Sequence, residues 1–195
     1  MQNRVLSDLL ESEDKLTLRS RQVIMVASGI LILAVAAKIQ VPMWPVPITM
    51  STFAVLAVGA AYGAQLGLVT ILGYMIVGAL GMDVFAGSSA QTFGLSYMMG
   101  SSGGYLVGYV LATLILGFLS NRGWGRSFGW MALAMLIGNA AIYLPGLVWL
   151  GHLYGWDRPI LAWGLMPFLP GDVVKLALAA VLLPGLWKLI DHARG

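Results

Sequence analysis

In a chain this apolar, chemistry is sought first at ionisable side chains inside apolar segments. Residues 167–175 read Pro-Phe-Leu-Pro-Gly-Asp-Val-Val-Lys and run into an apolar stretch that continues to about residue 190. Pro170 suits the first turn of a helix, and Asp172 and Lys175, three apart, then share one helix face. In lipid each charge costs on the order of 3 kcal/mol at mid-membrane, so both must face a bundle interior or a polar cavity. Asp172 also falls in the first helical turn, where the helix dipole favours a carboxylate. Two readings stand. The pair neutralises itself and is structural, or it receives a ligand that carries both N–H donors and a carbonyl or carboxylate.

Weaker polar candidates accompany the pair. Asn139 and Tyr143 stand four apart in one apolar segment, on one face, suited to a ligand or to another helix. Thr49, Ser51 and Gln91 are polar groups at loops or helix starts. The two histidines, His152 and His192, are too far apart to make a metal site, and the chain has no Cys. No phosphate-binding G-x-x-x-x-G-K-[ST], no G-x-S-x-G and no H-E-x-x-H occurs. The residues therefore name no metal or cofactor. A membrane-embedded enzyme acting on a lipid or prenyl substrate would have only Asp172, Lys175 and Lys38 to work with. A channel would lack a polar stripe.

The elements that position these groups are membrane spans. Of 195 residues 59% are hydrophobic and 10% charged, against about a quarter charged in soluble domains. We read an all-α integral membrane protein with six apolar segments, near 22–40, 48–62, 65–82, 98–119, 129–150 and 170–190. A turn is expected at Tyr62–Gln65, where Gly63 and Gln65 interrupt the apolar run. Residues 1–21 form a cytoplasmic tail, as a short interfacial helix or a solvated segment, without the apolar core of a signal peptide. Residues 22–190 form the membrane domain and 191–195 a second cytoplasmic tail. Arg4, Lys15, Arg19, Arg21, Arg122, Arg126, Lys188 and Arg194 then fall inside, Lys38 and Arg158 outside, the positive-inside pattern. That pattern demands an even number of spans. No basic run suggests nucleic acid.

Small residues recur at spacing four, as Gly59-Gly63-Gly67 and as Gly100-Gly104-Gly108-Ala112. Each row is expected to be a groove for close helix packing inside the bundle. Residues 40–49, with Pro42, Pro45 and Pro47, forbid a helix. Residues 81–104 are rich in Gly and Ser. Both are irregular outer loops, read as lids over a ligand pocket or as plain turns.

Four motifs occur in order: Val46-Pro47-Ile48-Thr49-Met50-Ser51-Thr52-Phe53-Ala54-Val55-Leu56, Gly81-Met82-Asp83-Val84-Phe85-Ala86-Gly87, Gly100-Ser101-Ser102-Gly103-Gly104-Tyr105-Leu106-Val107-Gly108, and Pro167 to Lys175. Together they resemble the BioY family, the biotin-specific substrate-binding (S) components of energy-coupling factor (ECF) transporters. The resemblance runs from about residue 22 to 190. It implies six membrane helices, biotin captured from outside and passed inward, and no enzymatic activity. It also implies partners, namely one membrane coupling protein and two ATP-binding subunits; lipid around the apolar spans and a homo-oligomer are separate expectations. The resemblance places the polar binding groups at Asp172 and Lys175 and makes Met43–Thr49 part of a lid; Asn139, Tyr143, Thr49 and Gln91 join them as candidate ligand contacts on the strength of their own positions. An S component for a different vitamin is the nearest alternative. The chain departs from the family pattern at Ser51, where Gln is expected, and at Asp83 and Ser101, where Pro is expected. Ala27, Ala34 and Ala37 only loosely match the alanine row that docks the coupling protein.

Overall fold

The computed structural model describes Val5 and residues 15–87 and 92–194, the side chains of 15–17 and 186–194 excepted. The interfacial helix considered within residues 1–21 lies mostly outside these residues, as does Gln91. The described chain is mostly helical. In order it runs α1 (Lys15–Lys38), β1 (Gln40–Val41), β2 (Ile48–Thr49), α2 (Ser51–Ala79), α3 (Gly94–Met98) and α4 (Gly103–Asn121). A short 3-10 turn (Trp124–Arg126), α5 (Phe128–Tyr154), α6 (Ile160–Gly164) and α7 (Leu169–Arg194) complete it. Four helical stretches among the described residues are long and apolar enough to cross a membrane: Leu18–Lys38, Ser51–Ala79, Gly103–Asn121 and Phe128–Tyr154. The first helix begins at Lys15, ahead of the expected boundary at 22, and α7 continues to Arg194 through the segment expected as a tail.

The expected turn near residues 62–65 is a reversal inside α2. Gly63 has φ 77° and ψ 179°, far from helical values, a conformation open to Gly and strained for any other residue. The two halves fold back on one another. A side chain built on Gly67 would come within 3.6 Å of the Gly59 Cα and 3.9 Å of the Val58 carbonyl. A straight helix would hold residues eight apart on the order of 12 Å apart. The expected row Gly59-Gly63-Gly67 is thereby corrected. Gly63 makes the turn, and Gly59 and Gly67 face each other across it.

Packing fixes the remaining directions. The Tyr62 hydroxyl donates to the Met25 carbonyl (3.0 Å), while Gly29 abuts Thr70 and Gly73 abuts Ile30. The second half of α2 therefore runs parallel to α1, and the first half antiparallel to it. Along α4, Gly104 meets Pro145 and Gly146, and Gly108 meets Ile142. Adding Cβ atoms there would drive the helices apart, so this row is a packing groove inside the bundle, with Ala112 fully buried at its end. Gly100, expected in that row, precedes α4.

The proline loop is tied at both ends. Gln40 pairs with Thr49 and Val41 with Ile48 in a two-residue antiparallel ladder, which an all-helical reading did not foresee. This ladder, the α2 N-terminus, α3 and the start of α4 gather at one end of the bundle. Gly63 and Asn121 mark the other end.

Replacing Gly63 by Ala forces a side chain into left-handed backbone and toward the Asn121 amide. Thermal unfolding in detergent should then show a loss of at least about 1–3 kcal/mol. Gly129→Ala, where nothing lies within 4 Å of the new methyl, should leave the midpoint unchanged or raise it slightly.

Candidate functional site

The start of α7 sets two polar side chains against the end of the bundle where β2 enters α2. The Lys175 ammonium donates to the Thr49 carbonyl (2.7 Å), to the Thr52 hydroxyl (3.0 Å) and to Asp172 Oδ1 (3.2 Å). An ammonium has three N–H donors, and all three are taken. Asp172 is 5% exposed. Its second oxygen accepts the Tyr143 hydroxyl in a short hydrogen bond. One buried ion pair thus fastens α7 to α5 through Tyr143 and to the β2–α2 corner through Thr49 and Thr52. Thr49 also caps this corner, its hydroxyl accepting the Ser51 N–H (3.1 Å).

In front of the network lies a cavity that opens to the outside. Thr49, Ser51, Thr52, Ser102, Tyr109 and Tyr143 are among the polar groups of its wall. Asp172 and Lys175 are not in the wall. They stand directly behind it and reach it through Tyr143, Thr49 and Thr52.

Two aromatic groups, with Val46, Pro47, Ala86 and Leu106, form the rest. Tyr105, Tyr143 and Phe168 pack together with ring centres 5.9–6.3 Å apart. Phe85 lies edge-on to Tyr74 (5.3 Å) and stacks on Tyr97 (5.0 Å). Most of these rings have committed hydroxyls. Tyr74 donates to the Val84 carbonyl (2.9 Å), Tyr105 to Gly164 (2.7 Å) and Tyr97 to Ser102 (3.3 Å). Burial pushes the Tyr97 hydroxyl above its ordinary range, and the Ser102 hydrogen bond offsets this in part. The rings are therefore fixed, neutral walls suited to a flat or aliphatic ligand body.

Loops close over this end. The Ser101 hydroxyl donates to the Pro45 carbonyl (2.5 Å). Trp44 packs edge-on against Tyr154 (5.5 Å) and Trp163 (4.9 Å). Asp83 accepts from Lys38 (2.5 Å), which also reaches the Phe85 carbonyl (3.0 Å). Two of the three departures from the family pattern, Asp83 and Ser101, are thus ties that hold the loops. The third, Ser51, lies in the cavity wall.

Of the residues singled out from sequence, Thr49, Ser51, Tyr143, Asp172 and Lys175 come together. Asn139 stands one helical turn from Tyr143, half-buried, outside the cavity wall, with its amide oxygen buried and unpartnered. Gln91 is outside the described residues. Thr52 and the ring residues Tyr74, Phe85, Tyr97, Tyr105 and Tyr109 were not singled out. The signal for two of them was present in the sequence. Tyr105 and Tyr109 stand four apart in an apolar segment, and a hydroxyl in lipid turns inward for the same reason that a charge does.

The model of the BioY family matches residues 10–192. A protein of Pyrococcus horikoshii named "Probable biotin transporter BioY" is 36% identical over 165 residues, 85% of this chain and 95% of that one. "Biotin transporter BioY" of Thermotoga maritima is 31% identical over 169 residues, 87% of this chain and 97% of that one. Among solved structures, "Crystal structure at 2.1 A of the S-component for biotin from an ECF-type ABC transporter" aligns with TM-score 0.75. It covers 91% of this chain and 95% of that chain at 22% identity, a likeness of fold.

Removing one member of the ion pair strands the other. Lys175→Ala should lower stability in detergent by on the order of 3 kcal/mol. Asp172→Asn/Lys175→Met, which strands no charge, should recover most of that loss in the same thermal scan. Equal destabilisation of the single and double variants would show that the pair is not the tie described.

Proposed function

The chain belongs to the BioY family, and from that premise we propose that it captures biotin at the outer face of a cell membrane and passes it inward. The observation that carries this reading is the composition of the cavity. One polar corner is backed by a buried carboxylate, and the remaining walls are aromatic rings together with the aliphatic Val46, Pro47, Ala86 and Leu106. Biotin has the complementary form, with a ureido ring bearing two N–H donors and a carbonyl, a thioether ring and an aliphatic tail.

The acceptor for the ureido N–H groups is the Tyr143–Asp172 pair. Tyr143 gives its proton to Asp172, so its oxygen faces the cavity as an acceptor strengthened by that donation. Lys175 has no free N–H for a ligand. It holds Asp172 and the β2–α2 corner in register. Thr49 contributes to the polar corner. Asn139 and Gln91 remain as candidate contacts, Asn139 through its unpartnered amide oxygen.

The membrane arrangement we propose has six crossings, with α1, the two halves of α2, α4, α5 and α7 as spans. The reversal at Gly63 and the antiparallel run of α4 against α5 support that count. Residues 1–21 and 191–195 are cytoplasmic tails flanking the membrane domain of 22–190. Arg122 and Arg126 then lie on the cytoplasmic side with Gly63, and the cavity opens outward. The chain holds no ATP-binding motif. Transport energy comes from an ECF coupling protein with two ATP-binding subunits, and the chain itself catalyses no reaction. A homo-oligomer is compatible with this assembly.

Purified chain should bind biotin one to one. Asp172→Asn and Tyr143→Phe should each weaken binding by about tenfold or more, measured by titration calorimetry. Unchanged affinity in both variants would remove the site assignment. The lack of native Cys permits a direct test of topology. Asp157→Cys should react with an impermeant maleimide on intact cells, and Ser127→Cys only after permeabilisation. The reverse pattern would invert the proposed orientation.

A further inference from the structure

Three hydroxyls meet in the cavity wall. Tyr109, Ser51 and Thr49 all line it, all three residues are buried, and the Tyr109 hydroxyl lies beside the side chains of Ser51 and Thr49. Thr49 Oγ1 is already an acceptor for the Ser51 N–H. Among the described residues the Tyr109 hydroxyl donates to no protein group, so its proton is free to point into the cavity whose wall it lines. The other wall tyrosines offer none, because Tyr74, Tyr97, Tyr105 and Tyr143 have given theirs to partners in the protein.

The same corner adjoins the carboxylate. One ammonium, that of Lys175, bonds both the Thr49 carbonyl and Asp172. The site therefore sets a hydroxyl donor beside an acceptor unit, which is the complement of a cyclic urea, where a carbonyl oxygen sits between two N–H groups. A ligand carboxylate is a poor occupant of this corner. Lys175 is spent in balancing Asp172, so a second anion there would be buried without a counter-charge.

We propose that Tyr109, supported by Ser51 and Thr49, is the specificity-determining donor that recognises the ureido carbonyl oxygen. The inference rests on the biotin reading above and deepens it. It assigns to a hydroxyl cluster the contact that a free Lys175 would otherwise make. It also gives a role to Ser51, one of the departures from the family pattern.

The test compares Tyr109→Phe with the unaltered chain on three probes: biotin, biotin methyl ester and 2-iminobiotin, in which the carbonyl is replaced by an imino group. Binding of biotin and of the ester should weaken alike, by about tenfold, while 2-iminobiotin changes by less than about threefold. Ser51→Ala should give the same ranking with a smaller loss and serves if Tyr109→Phe folds poorly. Isotope-edited infrared spectra of biotin labelled at the ureido carbon supply the second readout, with the bound carbonyl band moving to higher frequency in Tyr109→Phe. Equal loss on all three probes, loss confined to biotin but not its ester, or an unmoved carbonyl band would each overturn the proposal. Failure of the unaltered chain to bind biotin would instead overturn the biotin reading itself.

Discussion

The site depends on a buried ammonium with no donor to spare. Lys175 binds Thr49, Thr52 and Asp172 at once. In an apolar surrounding an ammonium left short of partners is costly, so this arrangement over-determines where α7 starts relative to the β2–α2 corner. Asp172, held from one side by Lys175, is held from the other by Tyr143. The pair adds little net stability, because desolvating two charges offsets most of their attraction. Its value is position. It fixes three segments around one cavity and turns the Tyr143 oxygen into an acceptor.

The closure above the cavity follows a different rule. Its ties are neutral hydrogen bonds and aromatic edges at the surface, together with an exposed ion pair between Lys38 and Asp83, a kind that contributes little. Ser101 holds the Pro45 carbonyl and Trp44 leans on Tyr154 and Trp163. Such contacts break more readily than the buried network beneath them. The division suits a capture site, with a floor held by paired charges and a cover held by contacts that a ligand's arrival can exchange.

Much of this was legible in the sequence for physical reasons. Charges inside an apolar segment must turn inward, so spacing alone placed Asp172 and Lys175 together in the bundle interior. Gly63 next to Gln65 marked the reversal, although the glycine row hid that Gly63 makes the turn itself. Other features were not legible. Spacing cannot show that all three Lys175 donors are taken, because Thr49 and Thr52 lie more than 120 residues away in the chain. Nor can it show that Tyr143 stands between Asp172 and the cavity. Tyr109 was passed over because an aromatic hydroxyl in a span reads as packing until its neighbours' protons are counted. Asn139 shares the helix face of Tyr143, but the cavity ends before reaching it.

The central claim is that the ligand's N–H groups are received by the Tyr143–Asp172 pair. Proton NMR of the purified chain loaded with biotin labelled with ¹⁵N at both ureido nitrogens observes those groups directly. At least one ureido N–H proton should move downfield on binding, exchange slowly with water, and return toward its free position in Tyr143→Phe. Ureido N–H signals that keep their free shifts and exchange rates in the bound state would contradict it.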